Sequence, residues 1–228
     1  MTILNLFDPA GAALVLGGTL AATLARTGWR DMRDTVRVTA GLATPGFDFA
    51  AQRAALAGEV EAIRQDGVLR ARLAPVADSE LADATAALAR HRSVSALIVQ
   101  HEQHRARRED RRRRACATLE QAAELGPHFG LVGTLVGLSQ LPAAGIEGGP
   151  GVMAAVSTAI VTTLYGLLLA HLVFLPLAGL VERRGRTEED ARERLIGWLA
   201  QQVAPACPPG SAAPSSGAQP AVVRDMAA

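Results

Sequence analysis

Apolar residues cluster in three stretches of this chain. The longest, residues 126–181, carries one acidic residue, Glu147, and no arginine or lysine. The interval 142–151 (PAAGIEGGPG) splits it into two arms. The first arm, 126–146, has 21 residues, close to the length that crosses ~30 Å of hydrocarbon at ~1.5 Å per residue. The second, 148–181, has 34 residues, so it extends past the lipid or tilts. Core helices of soluble proteins rarely run so long without charge, and the pattern predicts a helical hairpin through a membrane. The third stretch, 9–25, is a charge-free run of 17 residues. It lacks the basic leader of a signal peptide: Asp8 precedes it, and Arg26, Arg30 and Arg33 follow.

The flanking charges orient these three expected spans. Arginines after the first run and the segment ERRGR at 182–186 place both sides in the cytoplasm, while the turn at 142–151 has no basic residue. The expected order is a short periplasmic lead (1–7), a first span (8–25), a cytoplasmic helical region (26–125), the membrane hairpin (126–181), a cytoplasmic helix (182–203) and a disordered tail rich in Pro, Ser, Ala and Gly (204–228). The fold class is all-α: an integral membrane helical protein with three transmembrane helices and long cytoplasmic extensions.

In the cytoplasmic region Asp48 is placed to cap a helix over 49–65, whose stripe is Leu56, Val60 and Ile63. Gly67 and Pro75 interrupt. Asp78 then starts a helix expected to run unbroken from Ser79 through Leu88, Leu97 and Leu119 into the hairpin, because no Gly or Pro intervenes before Gly126. Residues 187–203 form a short amphipathic helix with Leu195, Ile196 and Leu199 inward.

Small residues organise the apolar arms. Gly130, Gly133 and Gly137 share one helix side, and Thr134 borders it. In the second arm Ala155, Ala159, Thr162, Gly166 and Ala170 form a facing stripe, with Thr163 beside it. Small residues let backbones approach closely in lipid. Threonine hydroxyls on such faces either line a narrow polar path or bond their own helix carbonyls.

Composition adds little beyond exclusions. Every basic residue is arginine. Cys116 and Cys207 lack metal or redox spacing, and neither a metal site nor a cofactor is indicated. His91, His101 and His104 are read as a solvated helix surface; His128 and His171 lie in the hairpin arms. The basic tract 105–114 (RARREDRRRR) lacks interleaved aromatics and a recognition fold, so it is read as a solvated or subunit-contacting face with no nucleic-acid partner. No nucleophile–base pair or phosphate loop points to an enzyme.

Pro127, Gly130, Gly133, Thr134, Gly137 and Leu138 together read P-x-x-G-x-x-G-T-x-x-G-L. With Pro150-Gly151, Thr162-Thr163-Leu164-Tyr165-Gly166 and Pro176-Leu177-Ala178 in register, the hairpin resembles the MotA/TolQ/ExbB proton-channel family, closest to its flagellar-stator branch. Asp8-Pro9-Ala10 with Val15-Leu16-Gly17-Gly18-Thr19 resembles the second membrane helix of stators, while three spans match the TolQ/ExbB plan.

That resemblance implies a ring, pentameric in the family, around the single-span helices of a MotB-, ExbD- or TolR-like partner. The partner helix carries the aspartate that takes up and releases a proton, or a sodium ion in some members. It also implies that Thr134 and Thr163, with Thr162 adjacent, line the ion path, that Gly130, Gly133, Gly137 and Gly166 pack the helices, and that Pro127 and Pro176 help couple conformational change. One reading from the residues alone agrees. Asp8 stands at the edge of an apolar run and Glu147 in the turn, so a proton relay needs an acid from another chain. The expected function is an inner-membrane proton-channel subunit of a motor driven by proton-motive force; the alternative is a non-conducting membrane scaffold with the same fold.

Overall fold

The computed structural model describes residues 8–66, 78–139 and 150–207. Every regular element among them is helical: α1 (Pro9–Gly41), α2 (Phe49–Asp66), α3 (Ser79–His91), α4 (Val94–Ser139), α5 (Pro150–Leu168), a π-helical segment (Leu169–Phe174), α6 (Leu175–Val203) and a closing 3-10 turn (Ala204–Ala206). They fall into two compact units, residues 1–46 with 107–188, and residues 47–106 with 189–228.

Among the described residues two stretches are long and apolar enough to cross a membrane, Pro9–Gly41 and Val152–Ala206. The arm that ends α4 runs to Ser139, and its continuation with most of the expected turn, residues 140–149, lies outside the described residues. So do the expected lead 1–7, the interruption at Gly67 and Pro75, and the tail from 208 onward.

In the first unit, Asp8 caps α1 by accepting the Ala10 N–H at 3.1 Å. Gly28 then takes φ 84, a left-handed value that favours glycine, and kinks the helix just beyond Arg26. Leu119, Ala178 and Val181 are buried against Val38, Leu42 and Phe174. Arg112 meets Glu182 at 3.1 Å, and Arg184 donates to the carbonyls of Leu42 (2.6 Å) and Thr44, which ties the end of α1 to α6. The residues expected as a separate helix from Thr187 are the distal part of α6, continuous from Leu175. Along the apolar stretches, Leu135, Met153, Ile160 and Leu172 are largely exposed, a surface suited to hydrocarbon rather than water.

Cys116, on α4, lies 3.7 Å from the Ala178 carbonyl and 3.9 Å from the Glu182 carboxylate. Burial pushes its thiol pKa up, and the anionic Glu182 beside it pushes the same way.

The second unit is a helical bundle around an aliphatic core. Asp48 caps α2 by accepting the N–H groups of Ala50 and Ala51, and Leu56, Val60 and Ile63 are buried, as their spacing predicts. Asp78 caps α3 through the N–H groups of Glu80 and Leu81. The helix expected to run unbroken from Ser79 is interrupted. Arg92 adopts φ 52 and donates its N–H to the Leu88 carbonyl, and the Ser93 hydroxyl accepts from Ser95 to begin α4. The break carries Leu88 and Leu97 into one cluster with Leu56, Ile63, Leu195 and Leu199. Burying those side chains outweighs one left-handed arginine, a strain of about 1–3 kcal/mol. Arginines seal the rim: Arg192 stacks 4.4 Å from the Phe47 ring centre while bonding Asp78 at 2.6 Å, and Arg53 stacks 5.2 Å from Trp198.

Two outcomes follow from this packing. Leu88→Ala should destabilise the second unit by about 2–5 kcal/mol, read as a lower melting midpoint in Trp198 fluorescence in a Trp29→Phe background. Cys116 should alkylate slowly with a maleimide near neutral pH, because a raised pKa leaves little thiolate; Glu182→Gln should speed the reaction at the same pH.

Candidate functional site

The α4–α5 pair is built on glycine. An ideal Cβ added at Gly166 would lie 2.5 Å from the Gly126 carbonyl oxygen, and one at Gly126 would lie 2.9 Å from the Gly166 carbonyl oxygen. One at Gly130 would sit 3.1 Å from both the Thr162 carbonyl and the Thr163 Cα. Gly133 leaves room for the Thr162 side chain, 2.7 Å from the same imagined atom. Gly137, 3.4 Å from the Ala155 carbonyl, is in ordinary contact. The two helices thus meet backbone to backbone, antiparallel, through steps of three and four residues, as close packing in lipid requires.

This seam brings Gly130, Gly133, Gly137, Gly166, Thr162 and Thr163 together. Thr162 is 1% exposed and wedged between α4 and α1, where its methyl would meet a Cβ at Gly11 at 2.6 Å. Thr163 and Thr134 are half-buried. All three hydroxyls donate within their own helices: Thr134 to Leu131 at 2.6 Å, Thr162 to Ala159 at 3.0 Å and Thr163 to Ala159 at 3.3 Å. Among the described residues, Thr134 and Thr163 are not hydrogen-bonded to one another.

Pro127 lies inside α4, where its missing N–H leaves the Ala123 carbonyl without its usual donor. Pro176 is the second residue of α6, just past the π-helical segment, where the Leu175 N–H reaches back to the Ala170 carbonyl. His128 and His171 are exposed, and each Nδ1–H donates to a carbonyl one turn back, Glu124 at 2.7 Å and Leu167 at 3.0 Å.

Other placements differ from the sequence reading. Asp8, at the edge of its apolar run, is half-buried against α5. Its N–H donates to the Tyr165 hydroxyl at 3.1 Å, and its carboxylate oxygen and the Thr162 methyl each lie 2.6 Å from the position of a Gly11 Cβ. Thr162 is 12 residues, ~18 Å of helix, beyond Pro150. The depth at which α1 starts is set by its packing on α5, which no local pattern encodes. On the same face of α1, Thr19 is fully buried and its hydroxyl has no hydrogen-bond partner. Gly18 clears the Phe129 ring, which would lie 2.2 Å from a Cβ there. Gly126 was readable as the first member of a small-xxx-small pair with Gly130.

In the second unit His101 and His104 are buried, not solvated. His101 Nε2 lies 3.9 Å from Glu189, and His104 Nε2 lies 3.4 Å from Asp83 and 3.1 Å from the Gln100 amide. Helices α3 and α6 cover this face of α4, which the helix's own sequence does not reveal. Among the described residues no three His, Cys, Asp or Glu side chains gather as a metal site.

A sequence profile described as the MotA/TolQ/ExbB proton channel family matches residues 63–194, more than half of the chain. Protein YtxD of Bacillus subtilis is 38% identical over 80 residues, covering 35% of this chain and 29% of that protein. Motility protein A of Cereibacter sphaeroides is 36% identical over 76 residues, 33% of this chain and 30% of that one. The chain therefore spans less than a third of the length of these relatives. In structure it is similar to a chain of the flagellar MotAB stator complex from Bacillus subtilis, with a TM-score of 0.77 at 19% identity over 89% of this chain and 81% of that one.

The glycine seam yields a graded expectation. Gly166→Ala, with backbone in the way, should lower the melting temperature in detergent, an overpacking cost of about 1–3 kcal/mol, whereas Gly137→Ala should melt like the wild type.

Proposed function

Because the chain belongs to the MotA/TolQ/ExbB proton channel family, we infer that it is the multi-pass subunit of an inner-membrane motor driven by proton-motive force. It assembles as a ring, a pentamer by family likeness, around a single-span partner of MotB, ExbD or TolR type whose aspartate carries the ion. It spans the membrane three times, with its N-terminus in the periplasm and its C-terminus in the cytoplasm. The ion is a proton by family default, and the output is rotation or transmitted force, with no covalent chemistry.

The observation that carries this reading is the backbone-to-backbone α4–α5 seam. It supports Thr163, with Thr134 on the neighbouring helix, as hydroxyls along the ion path, and Thr162 as the wedge that fixes their helices. Half-burial suits Thr134 and Thr163 to this role, since each retains a face for a partner helix. Pro127 and Pro176 interrupt the backbone ladder of these helices and serve as points where the arms flex during coupling. Between flagellar rotation and energising an envelope process, the similarity to motility proteins and to a stator chain favours the stator-like role.

One observation favours the alternative of a non-conducting scaffold: the three hydroxyls are all bonded within their own helices. Thr163→Val, nearly isosteric, separates the two. In a channel the variant complex should still assemble by native mass spectrometry but lose ion flux in vesicles. Unchanged coupling in the host with Thr163→Val would assign the chain to the scaffold class.

A further inference from the structure

We propose that the second unit has two proton-binding sites of its own, His101 with Glu189 and His104 with Asp83, and that protons bound there clamp α3 and α6 onto α4. The sites stand on the packing of that unit and do not depend on the channel reading above.

The first argument is burial. His101 and His104 are 7% and 8% exposed, one turn apart on α4. Histidine is the side chain whose ordinary titration falls between about pH 5 and 8. With this face of α4 covered, a charged imidazole must find its counter-charge on the covering helices rather than in water.

The second argument is what covers them. Helix α6 brings the Glu189 carboxylate, its side chain 14% exposed, to 3.9 Å from His101 Nε2. Helix α3 brings the Asp83 carboxylate to 3.4 Å from His104 Nε2. The neighbouring arginines engage other acids: Arg105 of α4 meets Glu102 at 3.5 Å and Glu193 of α6 at 3.6 Å, and Arg192 of α6 meets Asp78 at 2.6 Å and Glu80 at 3.9 Å. The charged groups facing the two rings are therefore Glu189 from α6 and Asp83 from α3. A proton on each ring turns a neutral contact into an ion pair between helices.

The third argument is that the His104 site has room for both proton states. Its Nε2 lies 3.1 Å from the side-chain nitrogen of Gln100. On the neutral ring that amide N–H donates to the Nε2 lone pair. On the protonated ring the amide turns over to accept, and Asp83 accepts as well. The Asp83 side chain is 63% exposed, so water reaches the site and supplies the proton. The balance is simple: Nε2 gains a proton from water as pH falls and returns it as pH rises, and no other covalent bond changes.

The clamp therefore closes on the acid side of the imidazole range and loosens as pH rises through it. Both helices joined by the His101 site, α4 (Val94–Ser139) and α6 (Leu175–Val203), are continuous with apolar arms. On the cytoplasmic side expected for residues 26–125 and 182–203, the clamp responds to cytoplasmic pH.

The test is thermal melting of the full chain in detergent between about pH 5.5 and 8, followed by Trp198 fluorescence in a Trp29→Phe background. The melting midpoint should be higher at the acid end by a few degrees. Replacing both histidines, His101→Gln with His104→Gln, should remove most of that difference, whereas His91→Gln, at the exposed end of α3, should keep it. Asp83→Asn with Glu189→Gln keeps both rings and should also abolish the rise at the acid end; this pair decides the matter if the double histidine variant does not fold. A purely packing role for the histidines would lower the midpoint equally at every pH. That result, or a wild-type midpoint that does not rise toward acid pH, would overturn the proposal and leave the channel reading standing.

Discussion

The rest of the first unit depends on the backbone contact between Gly126 and Gly166. In water two helices are driven together by burying apolar surface; in hydrocarbon that drive vanishes and close packing must replace it. Glycine on both helices brings two main chains within van der Waals reach, and no side chain can be added there without moving them. That one contact also sets register. With Gly126 against Gly166, the antiparallel arrangement places Gly130 at Thr162 and Thr163, Gly133 at the Thr162 side chain and Gly137 at Ala155. A slip of one residue would put a leucine where a glycine now lies.

From that register the position of α1 follows. Gly133 gives Thr162 its space, Thr162 fills the gap left by Gly11, and Gly18 admits the Phe129 ring. One glycine of α4 and two of α1 therefore define where α1 rests. The same arrangement brings the Asp8 backbone to Tyr165, the one tyrosine of the chain. Thr162 serves as a wedge between helices, and the half-buried Thr134 and Thr163 flank it.

The second unit obeys different physics. Its core is leucine, isoleucine and valine, its caps are aspartates, and its surface arginines cover aromatic rings. Here burial from water is the main drive, strong enough to impose a left-handed arginine between α3 and α4 so that Leu88 and Leu97 reach one core. Much of the arginine content that reads as a basic tract along the chain is matched by carboxylates: Arg105 by Glu102 and Glu193, Arg112 by Glu182, and Arg114 by Asp31 and Asp110. Such exposed pairs add little stability individually, but they leave the tract far less cationic than its sequence reads.

The sequence alone determined what local periodicity and chemistry encode. The charge-free runs, the caps at Asp48 and Asp78, the stripe of Leu56, Val60 and Ile63, and the glycine face with its family likeness were all legible, because each is written within one or two helical turns. Tertiary structure decided the rest. Arg92 breaks a helix that no Gly or Pro marks, because the gain lies in contacts with residues distant in the chain. His101 and His104 are buried because α3 and α6 lie over them, and nothing in the segment around them records that cover. Asp8 stands at the end of an apolar run yet is level with Tyr165 on α5, because the level at which α1 begins is a property of how helices are stacked, and one helix's own residues state only that it begins there.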